Sequence, residues 1–132
     1  MSKKLLRGVL VDVKNETARV VEVQDDLDEF YKILNCDCID ITVRRIGGRC
    51  RKKFNIVCDD EGLLKDPQKI SAIDNLGQPQ LVGNLFIVGG EVIDGELTSL
   101  TESEVAYILA RVQKMGTRKF PAGYPMLTQC EY

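Results

Sequence analysis

Residues 39–58 read IDITVRRIGGRCRKKFNIVC, and this stretch decides the fold. Ile39, Ile41 and Val43 alternate with Asp40, Thr42 and Arg44, while Phe54, Ile56 and Cys58 alternate with Lys53, Asn55 and Val57. Such period-two alternation marks half-buried β-strands, because successive side chains leave a strand on opposite faces. Gly47-Gly48 lies between the two runs, and a two-residue Gly-Gly loop suits the type I′ turn, whose central residues both need positive φ. That turn predicts Ile41 opposite Phe54 and Ile39 opposite Ile56 on an inner face, with Arg44 opposite Arg51 and Thr42 opposite Lys53 on the outer one.

The same stretch is the most basic part of an acidic chain. Six of the ten residues from Arg44 to Lys53 are Arg or Lys, against a net charge of −2 overall. In the predicted register Arg44, Arg49, Arg51 and Lys53 share the outer face, and Arg45 and Lys52 lie near the tip of the inner face. Directly opposed like charges destabilise a ladder by ~0.2–1 kcal/mol, so the cluster needs a reason. Two are open on the residues alone: a solvated hairpin whose charges guard a sheet edge, or an anion site in which Arg forks make bidentate hydrogen bonds. The candidate binding residues are therefore Arg44, Arg45, Arg49, Arg51, Lys52 and Lys53.

At 132 residues the chain is long enough for one self-sufficient core. No run approaches the ~20 apolar residues that cross a bilayer, and the opening MSKKLLRGVLVDV has Arg7 and Asp12 inside its apolar run, unlike a signal peptide. The expectation is a cytoplasmic protein with no membrane partner. Cys36, Cys38, Cys50, Cys58 and Cys130 are then reduced thiols. Their C-x-C and C-x7-C spacings lack zinc knuckles, and a strand would hold Cys50 and Cys58 about 26 Å apart at ~3.3 Å per residue. Cys58 reads as a small buried hydrophobe, and Cys38, outward and opposite Val57 in the predicted register, is the one thiol placed to react, although a structural role is the stronger reading of it. Asp59-Asp60-Glu61-Gly62 reads as a turn, without the alternating ligands of a calcium loop. No metal or cofactor is expected.

There is no histidine, which removes the commonest proton-transfer residue at neutral pH. Phosphate-binding loops of the Walker and G-x-G-x-x-G kinds, H-E-x-x-H and the nucleophile elbow are absent too. No catalytic residue can be assigned, and binding is favoured over turnover.

Outside the basic hairpin, residues 4–13 and 17–24 read as strands joined by Lys14-Asn15-Glu16. Asp25-Asp26 caps a short helix with Leu27, Phe30, Tyr31 and Leu34 on its apolar face. Residues 65–79 form a loop with one short element, and 80–88 a strand interrupted at Gly83-Asn84, the mark of a bulge or of a close approach. A small hairpin turns at Asp94-Gly95. Thr101-Glu102-Ser103-Glu104 is a capping box with a Leu100–Val105 staple. Behind it, Val105, Ile108, Leu109, Val112 and Met115 make one stripe, so the helix is predicted to run to a stop at Gly116. The fold class is α+β: a mainly antiparallel sheet built from hairpins with two helices packed on it, over residues 1–116. Residues 117–132 form a C-terminal extension that packs on this domain or on a neighbouring copy.

The segments LDEFYKIL, VCDDEGLLKDP, VGNLFIVGG and GELTSLTESEVAYIL, in this order, resemble an uncharacterised small-domain family of phages, plasmids and other mobile elements of Gram-positive bacteria. The resemblance spans Leu5 to Val112 and carries no active site. It implies an accessory protein that engages a host or defence macromolecule, here through the basic hairpin. The expected partner is an acidic protein or a small phosphorylated ligand, with nucleic acid the weaker fit to a net-negative chain. A nucleic-acid or nucleotide binder and an enzyme with an unrecognised site remain as alternatives, and a second copy, through its acidic stretch from Glu91 to Glu104, is a further candidate partner.

Overall fold

A computed structural model describes residues 5–36, 38–47, 52–59, 69–118 and 120–131. The first hairpin comprises β1 (Leu5–Asp12) and β2 (Thr17–Gln24), and α1 (Leu27–Leu34) follows. Asp26 is the N-cap of α1, its carboxylate accepting from the Asp28 backbone N–H, and Asn35 ends the helix in the left-handed conformation that asparagine tolerates better than most residues. The basic hairpin is β3 (Ile39–Ile46) and β4 (Lys52–Asp59), and the middle of the chain supplies β5 (Ile70–Ile73), β6 (Pro79–Val82) and β7 (Leu85–Val88). A short hairpin, β8 (Val92–Ile93) and β9 (Glu96–Leu97), turns through Asp94 and Gly95, both at positive φ as a type I′ turn requires.

The second helix, α2 (Glu102–Leu109), opens on the complete capping box: Thr101 Oγ1 accepts from the Glu104 N–H, and Glu104 accepts from the Thr101 N–H. It stops well short of Gly116. Residues Val112–Met115 form a strand, β10, which pairs with β11 (Tyr124–Leu127), and β12 (Cys130–Glu131) closes the chain order. Thr128 donates to the Arg111 carbonyl through both its backbone N–H and its hydroxyl, at 2.8 and 2.7 Å, so the chain's last strands claim backbone that a longer helix would have used. Gly116 lies instead where a side chain would meet the Pro121 carbonyl oxygen at 2.7 Å.

Among the described residues the fold is α+β and mostly antiparallel, with two helices. Its main sheet orders the described strands β12-β3-β4-β7-β1-β2, and a second sheet has the order β10-β11-β5-β6, in which β11 and β5 pair in parallel. Strand β7 shows what this means for the core. Leu85, Phe86, Ile87 and Val88 are all fully buried, because one face of the main sheet packs on α2 and the second sheet while the other packs on α1. Tyr124, Met126, Leu127 and Cys130, all beyond residue 116, belong to the first of these clusters.

Two-sided burial also explains a correction to the hairpin. Ile41 pairs with Val57 and Arg44 with Phe54, the ladder ending at Ile46 and Lys52 with Gly47 through Arg51 between them. Ile41 and Phe54 are therefore not opposed and point to opposite faces. Ile41 and Val43 are half-exposed and Arg44 is buried, the reverse of the tight-turn expectation. The cause is the use made of Gly47. Its N–H donates to the Gln129 carbonyl, the neighbouring Ile46 carbonyl accepts from the Tyr107 hydroxyl at 2.7 Å, and its φ is +120°. This backbone is fixed by α2 and the C-terminal strands. Gly48, Arg49, Cys50 and Arg51 lie outside the described residues.

Candidate functional site

The pairing of β3 and β4 divides the predicted basic cluster. Arg44 shares a face with Phe54 and Ile56, is 5 % exposed, and donates through Nη1 to Gln80 Oε1 at 3.2 Å. It is a core cation between the two sheets. Cys130 lies near it; burial pushes that thiol up to about 12, and the Arg44 charge only partly opposes the shift. Such a thiol is inert at neutral pH. Lys52, on the same face, forms an ion pair of 2.8 Å with Glu104 Oε2. Burial acts to raise the Glu104 pKa, but the bonds from Lys52 and Thr101 outweigh it and hold the carboxyl below its ordinary value. Lys52 thus ties the hairpin to the cap of α2.

Arg45 and Lys53 remain. They are directly opposed across β3 and β4 and both are exposed. Arg45 also pairs with Glu131 of β12. On the same face, Val43 and Ile41 continue the column along β3 and are 49 and 45 % exposed. Among the described residues, β12 covers β3 only at Arg45 and Ile46, so Ile39 through Val43 have a strand partner on one side alone. The Gly47 N–H reaches Gln129 on that open side, and the Ile41 N–H bonds its neighbour's Asp40 carboxylate at 2.9 Å. Odd-numbered residues therefore turn their backbone groups outward. Arg45, Val43 and Ile41 lie on the edge strand with Lys53 beside Arg45 on β4, and among the described residues the backbone from Ile39 to Val43 pairs with β4 alone. The structure does not bring Arg44 to that face, and Arg49 and Arg51 are outside the described residues.

A second feature was not foreseen from the sequence. Between the β1–β2 turn and α1 lies an open cleft of about 420 Å³. Its floor is Leu10, Val21 and Ile33, and its rim carries Lys14, Arg19 and Lys32. Asn84 anchors one side: its Oδ1 accepts from the Val13 N–H at 3.0 Å and the Lys14 N–H at 3.4 Å, where the chain passes from β6 to β7. Asp12 is 3 % exposed and accepts from the Asn15 backbone at 3.0 Å and side chain at 2.7 Å. Burial alone would raise its pKa, but these bonds, Asn84 and the Arg19 charge hold it below the ordinary carboxylate value. The interruption at Gly83-Asn84 was the one available signal. It marks a crossing between sheets, with Gly83 at φ +83°, rather than a bulge.

Cys36 and Cys58 are buried, and Cys38 is exposed just ahead of β3, not opposite Val57, whose partner is Ile41. Among the described residues no three His, Cys, Asp or Glu side chains gather to hold a metal ion, and no helix is long and apolar enough to cross a membrane. Comparison with curated proteins and with solved structures returned no match. A family model does match, over residues 6–113, from β1 into β10. The chain therefore belongs to the family described as Domain of unknown function (DUF3846).

Proposed function

We propose that the protein is a small non-catalytic binding protein, an accessory factor of a phage or other mobile element, which engages an acidic protein of the host or of its defence through the outer edge of the basic hairpin. The observation that carries this reading is the Arg45–Lys53 pair, continuous with exposed Ile41 and Val43 on a strand edge that is open among the described residues. Opposed cations destabilise an isolated ladder, and an open apolar edge invites unwanted pairing. Both features become favourable when an extended segment adds to β3: main-chain hydrogen bonds give affinity, Ile41 and Val43 bury against its apolar residues, and its carboxylates reach Arg45 and Lys53. A protein with alternating acidic and apolar residues matches this surface. A nucleic acid matches it less well, because a chain of net charge −2 repels a polyanion at long range and phosphate contacts to Arg45 and Lys53 would weaken quickly as salt rises.

The test is affinity capture from nuclease-treated bacterial host lysate with the wild-type protein and with the Arg45→Glu/Lys53→Glu variant. The expected result is an acidic protein retained near stoichiometry by the wild type and lost from the equally stable variant. Equal capture by both, or capture that nuclease abolishes, would refute the reading. Recovery of only a second copy of the chain would replace it with self-association.

A further inference from the structure

We propose that the cleft between the β1–β2 turn and α1 binds a small phosphate monoester, with its phosphate held by Lys14, Arg19 and Lys32 and its organic body laid over the apolar floor. The charges point to this class. Among the residues that line the cleft, three cations face one ionised carboxylate, Asp12; Glu29, outside the lining, pairs with Lys32 at 3.5 Å, so the surplus positive charge rests on Lys14 and Arg19 and suits a group that carries about −1.5 to −2 at neutral pH.

The donors at the rim are available. Arg19 Nη1 donates to Thr17 Oγ1 at 2.7 Å, but its approach to Asp12 is 3.7 Å, longer than a hydrogen bond, so most of the guanidinium fork stays open. Lys14 has no ion-pair partner among the described residues, and Lys32 has a loose one in Glu29 at 3.5 Å with its side chain 73 % exposed. Asp12, by contrast, is committed to Asn15. It shapes the turn that carries Lys14, and the bonds it accepts hold it in its charged form.

Size and lining agree with the charges. About 420 Å³ lies within the ~300–1,000 Å³ of small-molecule sites, and seven of its ten lining residues are polar or charged, which suits a charged ligand, with Leu10, Val21 and Ile33 the apolar ones. These three supply the floor, and the Asn84 bridge holds the turn over it. The edge of β3 contributes nothing here, so this site and the protein-docking surface stand independently.

Isothermal titration with adenosine 5′-monophosphate, glucose 6-phosphate and inorganic phosphate tests the proposal, with amide chemical shifts to locate binding. At least one ester should bind saturably and more tightly than inorganic phosphate, with shifts centred on Lys14, Arg19 and Asn35. The nucleotide and the sugar phosphate separate a flat apolar body from a polar one. Lys14→Gln and Arg19→Gln, checked for unchanged melting, should each weaken binding about tenfold or more, as expected for a lost charge-assisted contact. Arg45→Glu/Lys53→Glu should leave it unchanged. No saturable binding of either ester, esters no tighter than inorganic phosphate, shifts centred elsewhere, or full affinity in the Lys14→Gln/Arg19→Gln protein would each overturn it.

Discussion

Replacing Gly47 with alanine tests why the basic hairpin has the register it has. A methyl at Gly47 would overlap the Tyr107 hydroxyl, which donates to the Ile46 carbonyl at 2.7 Å, and the backbone there has φ +120°. Strain of an L-residue in that region costs ~1–3 kcal/mol, and loss of the hydrogen bond removes about 1 kcal/mol more. The expected destabilisation is therefore about 3 kcal/mol, or roughly a 10 °C fall in melting temperature at about 3–4 °C per kcal/mol for a chain of this size. A tight Gly-Gly turn would also penalise alanine, so the decisive quantity is coupling. Chemical denaturation of Gly47→Ala, Tyr107→Phe and the double variant should give an interaction of about 1 kcal/mol or more, because the phenylalanine has no hydroxyl left to displace. If the two substitutions add within ~0.3 kcal/mol, the Gly47 backbone is not held by α2 and the account of the register fails.

Arg44→Ala should cost about 2 kcal/mol or more by leaving a hole between the sheets and stranding Gln80, whereas Arg45→Ala should fall within ~0.5 kcal/mol of wild type; equal values by denaturant melts would contradict the assigned faces. Glu104→Gln should be less stable than wild type at neutral pH. Since the folded Glu104 pKa lies below its ordinary 4.5, the wild-type advantage is full above pH 4.5 and shrinks as pH falls toward and through the folded value, so melts that stay equally far apart down to strong acid would exclude the Lys52 pair as its source. Asn84→Ala should cost ~1–3 kcal/mol by orphaning the buried Val13 N–H, and a neutral effect would remove Asn84 as the bracket of the cleft. In native protein at pH 8, mass spectrometry should find Cys38 alkylated by iodoacetamide well before Cys130, and the reverse order would contradict the burial of Cys130.

What could be read from the residues was what short-range chemistry decides. Asp26 ahead of α1, Thr101 with Glu104 ahead of α2, and Asp94-Gly95 between β8 and β9 each satisfy backbone groups within a few positions, and each has the expected role. The register of β3 on β4 is a different kind of quantity. Both parities put apolar side chains on one face, because Val57 is as suited to a core as Ile56, and the choice falls to Tyr107 and Gln129, distant in sequence. The end of α2 fails for the same reason. Val112 and Met115 continue the helical stripe, but the Arg111 carbonyl is taken by Thr128 and Val112 pairs with Leu127. The cleft joins Asp12, Ile33 and Asn84 from three separate elements, so no local pattern announces it.

The position of the cations follows from this difference and changes the reading of the hairpin. A one-sided sheet would have turned all the alternating basic residues outward, as the opening alternation suggests. A sheet covered on both faces has no solvent side near its centre, so Arg44 is buried against Gln80 and Lys52, though still exposed, is tied to Glu104, and the other described cations of the run lie where the cover ends. That place is the Arg45–Lys53 pair at the end of β3 and β4, next to the stretch from Ile39 to Val43 that β12 leaves uncovered. Among the described residues the basic run thus divides into cations tied to other layers, Arg44 and Lys52, and cations that face outward, Arg45 and Lys53, and the second pair is the one we propose meets a partner. The division is measurable as a contrast: Arg44→Ala should weaken partner capture only as far as it lowers the folded fraction, whereas Arg45→Glu/Lys53→Glu should abolish capture at unchanged stability. Loss of capture by a fully folded Arg44 variant would place the working surface on the inner face and undo the assignment.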